Sequence, residues 1–282
     1  MRKDHRSKIK KEYRVGVVNF INTAPFLIPF KEEGPVEGWH IIEDIPSNLN
    51  SMLLKGEIDI GLISSFSYGQ NYKKYFVLKD YCISATGTVG SVVLYSRKPI
   101  YELSEEIVCL TTQSATSVNL LYIILEYFNN LKPKYIKGNF KDFYQNETVS
   151  AYLAIGDEAL KIKRRYSGFY VYDLASIWYE TTSLPFVFAL WAIRKDSGLI
   201  GTRELEILRK RLISAYKKGA KNLDMISSMV AGRIPMPQGE CLSYLKGIEY
   251  DLSALKIKGI NHFFHLLKKM KKIKELPEIK EV

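Results

Sequence analysis

The sequence predicts an α/β fold of two lobes around a central ligand cleft, and three observations carry that prediction. Short β-rich runs hand over again and again to helix-start residues. Clusters of Ser, Thr and Asn follow those runs directly, where open α/β sheets bind ligands beyond the carboxyl ends of their strands. Segments near residues 97 and 190 have the character of crossings out of a first lobe and back into it.

In chain order, Tyr13 to Phe20 is the first strand and Asn22-Thr23-Ala24-Pro25 opens a helix. Pro46 to Leu54 reads as a second helix stopped by Lys55-Gly56, and Ile58 to Ile63 as a buried strand leading into Ser64-Ser65. Tyr81 to Ser96 is strand-like with Gly87 and Gly90 as punctuation, and Lys98-Pro99 as a connection. Ile107 to Leu110 is a strand, Thr111 to Ser117 a hydroxyl-rich helix start, and Val118 to Phe128 an apolar helix. Ala151 to Ile155 and Tyr170 to Tyr172 are strands that end in Gly156-Asp157 and Asp173. Leu184 to Arg194 returns the chain to the first lobe, and helices follow, with Leu205, Leu208, Leu212 and Tyr216 on one face and Ile260, Phe263, Leu266, Leu267 and Met270 on another. Strand-helix alternation predicts parallel sheets covered on both faces. The expected division is 13–96 plus 190–282 for the first lobe, 97–189 for the second, and 1–12 as a basic leader.

The 282 residues are 46% hydrophobic and 25% charged, an ordinary globular balance that excludes disordered and collagenous classes. The longest apolar run, Leu184 to Ile193, is well short of the roughly 18 residues of a membrane span, so a soluble protein with no membrane partner is expected. The net charge of +11 raises the question of nucleic acid. Its excess sits at the ends: residues 1–14 hold seven basic against two acidic side chains, and residues 261–282 six against three. Such termini read as solvated, and no nucleic-acid partner is expected. Cys82, Cys109 and Cys241 are too far apart for a paired-cysteine motif, and the apolar stretch after the basic start is broken by Asn19, Asn22 and Pro25, so a reduced cytoplasmic setting is expected.

Four polar clusters carry the chemistry: Asn22-Thr23, Ser64-Ser65, Gly87 to Ser91 and Ser114 to Ser117. Each joins neutral hydroxyl or amide groups to backbone N–H donors, and a helix start adds about half a positive charge. Converging, they predict a site for a small carboxylate or phosphate; separately, each is simply a helix cap. Phosphate-loop and dinucleotide glycine motifs are absent, as is a nucleophilic-serine elbow. His5, His40, His262 and His265 lie outside every cluster, so neither a metal nor another cofactor is expected. Asp157 and Asp173, at strand ends, read equally as general bases or as caps.

Longer segments in order resemble the chorismate dehydratases, the first enzymes of the futalosine route to menaquinone. They are Asn22-Thr23-Ala24-Pro25, Pro46 to Leu49, GEIDIGLISS (Gly56 to Ser65), GTVGSVVLYS (Gly87 to Ser96), TTQSATSVNLL (Thr111 to Leu121), AIGDEAL (Ala154 to Leu160), YDLASIW (Tyr172 to Trp178) and TTSLPFVFALWAIR (Thr181 to Arg194). The likeness spans about residues 13 to 270. Phe20-Ile21-Asn22 stands for the usual Tyr-Leu-Asn, and Thr182-Ser183-Leu184-Pro185 for Thr-Gly-Leu-Pro. The Ser-Pro-Cys-Pro-Asn-Asp-type start of the related 1,4-dihydroxy-6-naphthoate synthases is absent, which places that enzyme second. A non-catalytic small-anion-binding protein of the same fold is the remaining alternative.

The resemblance implies a type II periplasmic-binding-protein fold in a cytoplasmic hydro-lyase that converts chorismate to 3-[(1-carboxyvinyl)oxy]benzoate and water. It implies catalytic roles for Asn22 and Ser91. Substrate contacts are expected from Thr23, Ser64, Ser65, Gly87, Ser114, Thr116, Ser117, Asp157 and Thr182. Chorismate is the expected partner, and a homodimer stays open.

Overall fold

A computed structural model describes residues 12–282. The basic leader, Glu12 apart, lies outside the described residues. The first lobe begins with β1 (Tyr13–Val18), a single 3-10 turn (Ile21–Thr23), α1 (Ala24–Glu32), β2 (Trp39–Asp44), α2 (Pro46–Lys55), β3 (Ile60–Ser64), α3 (Ser65–Asn71) and β4 (Tyr75–Ala85). The second holds β5 (Val92–Ser96), β6 (Ile107–Leu110), α4 (Ala115–Tyr122), β7 (Lys134–Lys137), α5 (Phe140–Gln145), β8 (Val149–Ile155), α6 (Gly156–Arg165), β9 (Tyr170–Asp173) and α7 (Leu174–Thr182). The chain returns through β10 (Phe186–Arg194) and ends with α8 (Arg203–Lys221), α9 (Leu223–Val230), α10 (Gln238–Lys246), β11 (Glu249–Asp251) and α11 (Ala254–Lys269).

Two sheets result, of order β11-β4-β10-β3-β1-β2 and β7-β6-β8-β5-β9. Both are mixed, contrary to the expected parallel sheets. β10 runs antiparallel to β3 and β4, and β5 antiparallel to β8 and β9. The reason is topological: a strand that enters a sheet from the other lobe has no helical crossover to turn it parallel. Those entering strands also move the expected crossings. Val92 to Ser96, assigned to the first lobe from the sequence, pairs residue for residue with Ile155 to Ala151 in the second sheet. Phe186 to Ala189, assigned to the second lobe, pairs with Ala85 to Ile83 and with Ser64 in the first. The chain therefore crosses within 86–91 and 183–185.

Local chemistry explains the elements nearest the cleft. Gly56 ends α2 with φ +81, donating its N–H back to Leu53, and releases the chain into β3, all five residues of which are buried. Ser64 and Ser114 are the N-caps of α3 and α4, each accepting from the backbone N–H three residues on. The helix expected through Phe128 starts earlier, at Ala115, and its last part, Ile123–Phe128, is π-helical. Ser183, in the glycine position of the family pattern, caps α7 in the left-handed conformation with φ +56, so the turn keeps a glycine-like path.

The wrapping helices approach closely. A Cβ on Gly219 of α8 would fall 1.5 Å from the Pro25 carbonyl oxygen in α1, and one on Gly259 of α11 would fall 2.3 Å from that of Pro185. Leu205, Leu208, Leu212 and Tyr216 are buried as their spacing predicts, and so are Ile260, Phe263, Leu266 and Leu267. No helix among the described residues is long and apolar enough to cross a membrane.

Candidate functional site

Where β1, β3 and β10 of one sheet face β5, β8 and α4 of the other, a cleft encloses about 580 Å3 of space, its open mouth included. Its apolar walls are Val18, Phe20, Pro46, Leu62, Ile83, Val89, Val92, Ile155, Phe188 and Ala189. Its polar groups are Asn22, Ser64, Ser91, Ser114 and Ser117, with the Gly156 backbone beside them. No ionisable side chain is among these lining residues. Asn22 from the first lobe, Ser91 from the end of the crossing and Ser114 from the second lobe meet at one hollow.

Each polar group has a structural reason to be there. Asn22 sits in the 3-10 turn between β1 and α1, and its Oδ1 is buried with no hydrogen-bond partner, so an acceptor stands ready in the cleft. Ser64 and Ser114 close the N-termini of α3 and α4, which turns two partly positive helix ends toward the same space. Ser117 Oγ lies 3.0 Å from Ser114 Oγ one turn further on. Ser91 precedes β5, and its carbonyl accepts from Gly156 N at 2.7 Å, locking the starts of β5 and α6 together. The arrangement suits a small, partly apolar anion: flat hydrophobic walls, neutral donors and helix ends, and a desolvated floor.

The other expected contacts are spent elsewhere. Thr23 is fully buried and its Oγ1 donates to the carbonyls of Val18 and Phe20, both at 2.8 Å, so it braces the 3-10 turn. Ser65, next to Ser64 but turned to the opposite side, donates to Val187 O at 2.7 Å and ties α3 to β10. Gly87 occupies the crossing with φ +82 and open space around it, outside the lining. Thr116 Oγ1 accepts from Phe66 N at 2.8 Å, which joins α4 to α3 across the lobes. Thr182 Oγ1 donates to Trp178 O and accepts from Leu184 N, finishing α7.

Asp157 also misses the cleft wall, because its carboxylate is a bridge. Oδ1 accepts from Ile21 N at 2.9 Å, from the other lobe, and Oδ2 lies 3.3 Å from Arg233 Nη2. Burial raises its pKa above the ordinary aspartate value, with the Ile21 N–H and Arg233 pulling the other way. Asp173 caps α7 through Ala175 N and Ser176 N, and also takes the N–H groups of Val89 and Gly90. Of the two readings open for Asp173, the cap is the one its hydrogen bonds fit.

Sequence reasoning missed the second layer. Tyr244 of α10 donates its hydroxyl to Ser91 Oγ at 3.0 Å, and Asn50 of α2 donates its amide to Ser64 Oγ at 3.1 Å while accepting from Ser64 N at 3.0 Å. Neither has a local signal: Tyr244 stands 153 positions from its partner. Phe20, whose ring packs so tightly on Gly156 that a Cβ there would meet it at 2.9 Å, was missed as a cleft wall for the same reason.

A sequence model of the menaquinone-biosynthesis family matches residues 13–269. The chain belongs to that family. It is 30% identical over 277 residues to the chorismate dehydratase of Thermus thermophilus, covering 91% of this chain and 96% of that one. Among solved structures, a protein of Archaeoglobus fulgidus superposes with a TM-score of 0.77 at 17% identity, covering 93% of this chain and 98% of its own. The alkanesulfonate-binding protein SsuA of Xanthomonas axonopodis, bound to MOPS, superposes with a TM-score of 0.68 at 14% identity, covering 96% and 98%. At such identities these two establish the periplasmic-binding-protein-like fold alone.

Proposed function

We propose that this chain is a chorismate dehydratase, a hydro-lyase that converts chorismate to 3-[(1-carboxyvinyl)oxy]benzoate and water for menaquinone biosynthesis. The observation that carries the reading is a cleft lined by hydroxyls, one amide and two helix starts, with no ionisable side chain among its lining residues. Chorismate carries one carboxylate on its non-aromatic ring and a second on its enolpyruvyl ether arm, and such donors hold them without a counter-charge. The likeness to the Thermus thermophilus chorismate dehydratase supports the same substrate.

The chemistry asks little of the protein beyond orientation. The C3–H bond breaks and its electron pair becomes the C3–C4 double bond of the aromatic ring. The C4–O bond breaks with it, and the departing hydroxyl takes a proton to leave as water. Asp157 and Asp173 are engaged with backbone N–H groups, so the substrate's own carboxylate serves as the base and passes its proton to the leaving oxygen. Asn22 and Ser91 orient the reacting edge, and Ser114 with Ser117 holds a carboxylate from the second lobe.

Incubating the purified chain with chorismate, and following the mixture by chromatography, tests this. Chorismate should disappear as 3-[(1-carboxyvinyl)oxy]benzoate appears, one for one, and Asn22→Ala should slow this by about a hundredfold or more. Bound but unconverted chorismate would leave only a binding protein. Loss of turnover in folded Asp157→Asn or Asp173→Asn, with Asn22→Ala near normal, would install a side-chain base instead.

A further inference from the structure

Ser64 and Ser91 line the cleft, and each is buried at 4% and 3% exposure respectively, so what their hydroxyls can offer is set by their protein partners. A hydroxyl has one proton to give and two lone pairs to receive with. Ser64 Oγ receives from Asn50 Nδ2 at 3.1 Å and, more distantly, from Ser67 N at 3.4 Å. Both lone pairs are occupied, and only the proton remains for a ligand. The Asn50 amide cannot be flipped without loss, because its Oδ1 already accepts from Ser64 N at 3.0 Å.

Ser91 is arranged similarly by another element, with one of its two lone pairs taken. Tyr244 reaches it from α10 and donates at 3.0 Å. Burial raises the Tyr244 phenol far above its ordinary pKa, so it stays protonated and able to donate. The Ser91 proton is then free to point at the space it lines.

We propose that Asn50 and Tyr244 are positioning residues that fix Ser64 and Ser91 as hydrogen-bond donors toward the cleft, and so make an uncharged site selective for an anion. The inference rests on the dicarboxylate reading of the cleft given above. An unbiased serine donates or accepts with equal ease and serves a neutral alcohol or amide as well as a carboxylate. A serine with one or both lone pairs taken up is biased toward donating and serves the carboxylate better, since hydrogen bonds to a charged partner are the stronger ones.

The test is a pair of double-mutant cycles read by calorimetric binding of 3-[(1-carboxyvinyl)oxy]benzoate to the full chain, with circular dichroism to confirm folding. Tyr244→Phe removes one hydroxyl and should weaken binding by about tenfold. In a Ser91→Ala background the same change should do nothing further, because there is no longer a hydroxyl to orient. Asn50→Asp replaces the donating amide with a carboxylate oxygen, so Ser64 turns its proton inward and binding falls by at least as much. The Asn50→Asp loss should shrink in a Ser64→Ala background. Independent, additive losses in both cycles would mean packing or simple charge repulsion and would overturn the inference. If Ser64→Ala and Ser91→Ala weaken binding while Tyr244→Phe and Asn50→Asp do not, the inference fails and the dicarboxylate reading stands. If the serine variants themselves bind normally, the reading of the cleft fails and takes the inference with it.

Discussion

Replacing Asp157 with alanine removes the acceptor that joins the turn before Asn22 to the start of α6, and the cost follows from its partners. Ile21 is fully buried, and its N–H reaches Asp157 Oδ1 at 2.9 Å. A hydrogen bond to an ionised group is worth about 1.5–3 kcal/mol, and alanine also leaves the Ile21 N–H unpaired. A loss of about 2 kcal/mol, or roughly 4–8 °C in Tm, is expected for Asp157→Ala. Asp157→Asn behaves differently. Its side-chain oxygen still accepts from Ile21 N, and it forfeits the charge on that acceptor and the attraction to Arg233, whose side chain is 43% exposed and so weakly coupled. It also escapes the desolvation that raises the pKa of Asp157. A carboxyl whose folded pKa lies above its unfolded one contributes stability that is full below the unfolded value and is lost as pH rises through the folded value. Wild type should therefore lose stability relative to Asp157→Asn as pH climbs from about 4, the ordinary aspartate range, toward neutrality. Thermal scans of the three proteins at pH 4 and pH 7, with chorismate turnover at pH 7, decide the matter. An Asp157→Asn protein as unstable as Asp157→Ala at pH 7, or one that loses stability relative to wild type as pH climbs from about 4 to 7, would refute this reasoning.

Four other substitutions probe separate features. Gly219→Ala places a Cβ 1.5 Å from the Pro25 carbonyl oxygen, which must push α8 from α1, and about 3 kcal/mol or more should be lost in urea unfolding. Ser183→Gly relieves a left-handed residue at the end of α7 and should raise Tm by about 2–4 °C with turnover unchanged. Ser117→Ala should cut kcat/KM for chorismate by about tenfold at unchanged Tm, whereas Ser65→Ala, which loses only its bond to Val187 O, should lower Tm and leave KM alone.

What the sequence could tell was governed by how local each signal is. The helix stop at Gly56 and the buried run into Ser64 are written in adjacent residues, and the structure follows them closely. The lobe crossing is not local: Tyr81 to Ser96 is β-rich throughout, and only the pairing of Val92 with Ile155 moves its second half to the other sheet. Among hydroxyls the limit is sharper. Ser64 and Ser65 are neighbours of identical chemistry, yet one lines the cleft and the other is tied to Val187, because the chain is turning from strand to helix between them. Composition selects the cluster but cannot choose within it. Thr116 and Ser117 divide in the same way, one going to Phe66 and the other to the cleft. Tyr244 and Asn50 lay beyond reach altogether, since their importance comes only from which hydroxyl each one meets.

A neutral cleft is also the better solution for the reaction proposed. Substrate and organic product are both dicarboxylates, so a lysine or arginine in the wall would attract both about equally, and binding that does not change along the reaction does not accelerate it. What changes is where negative charge sits: it leaves the carboxylate that takes the C3 proton and gathers on the oxygen departing from C4. Fixed neutral dipoles respond to that relocation at short range, and in a cleft walled by Phe20, Leu62 and Phe188 they act with little screening by water. The chain's excess of basic residues is concentrated toward its termini, and among the described residues no basic side chain lines this cleft. On this reading, selectivity is set by the direction in which a few hydroxyl protons point, which makes hydrogen-bond polarity, more than net charge, the property to alter when the specificity of this site is to be changed.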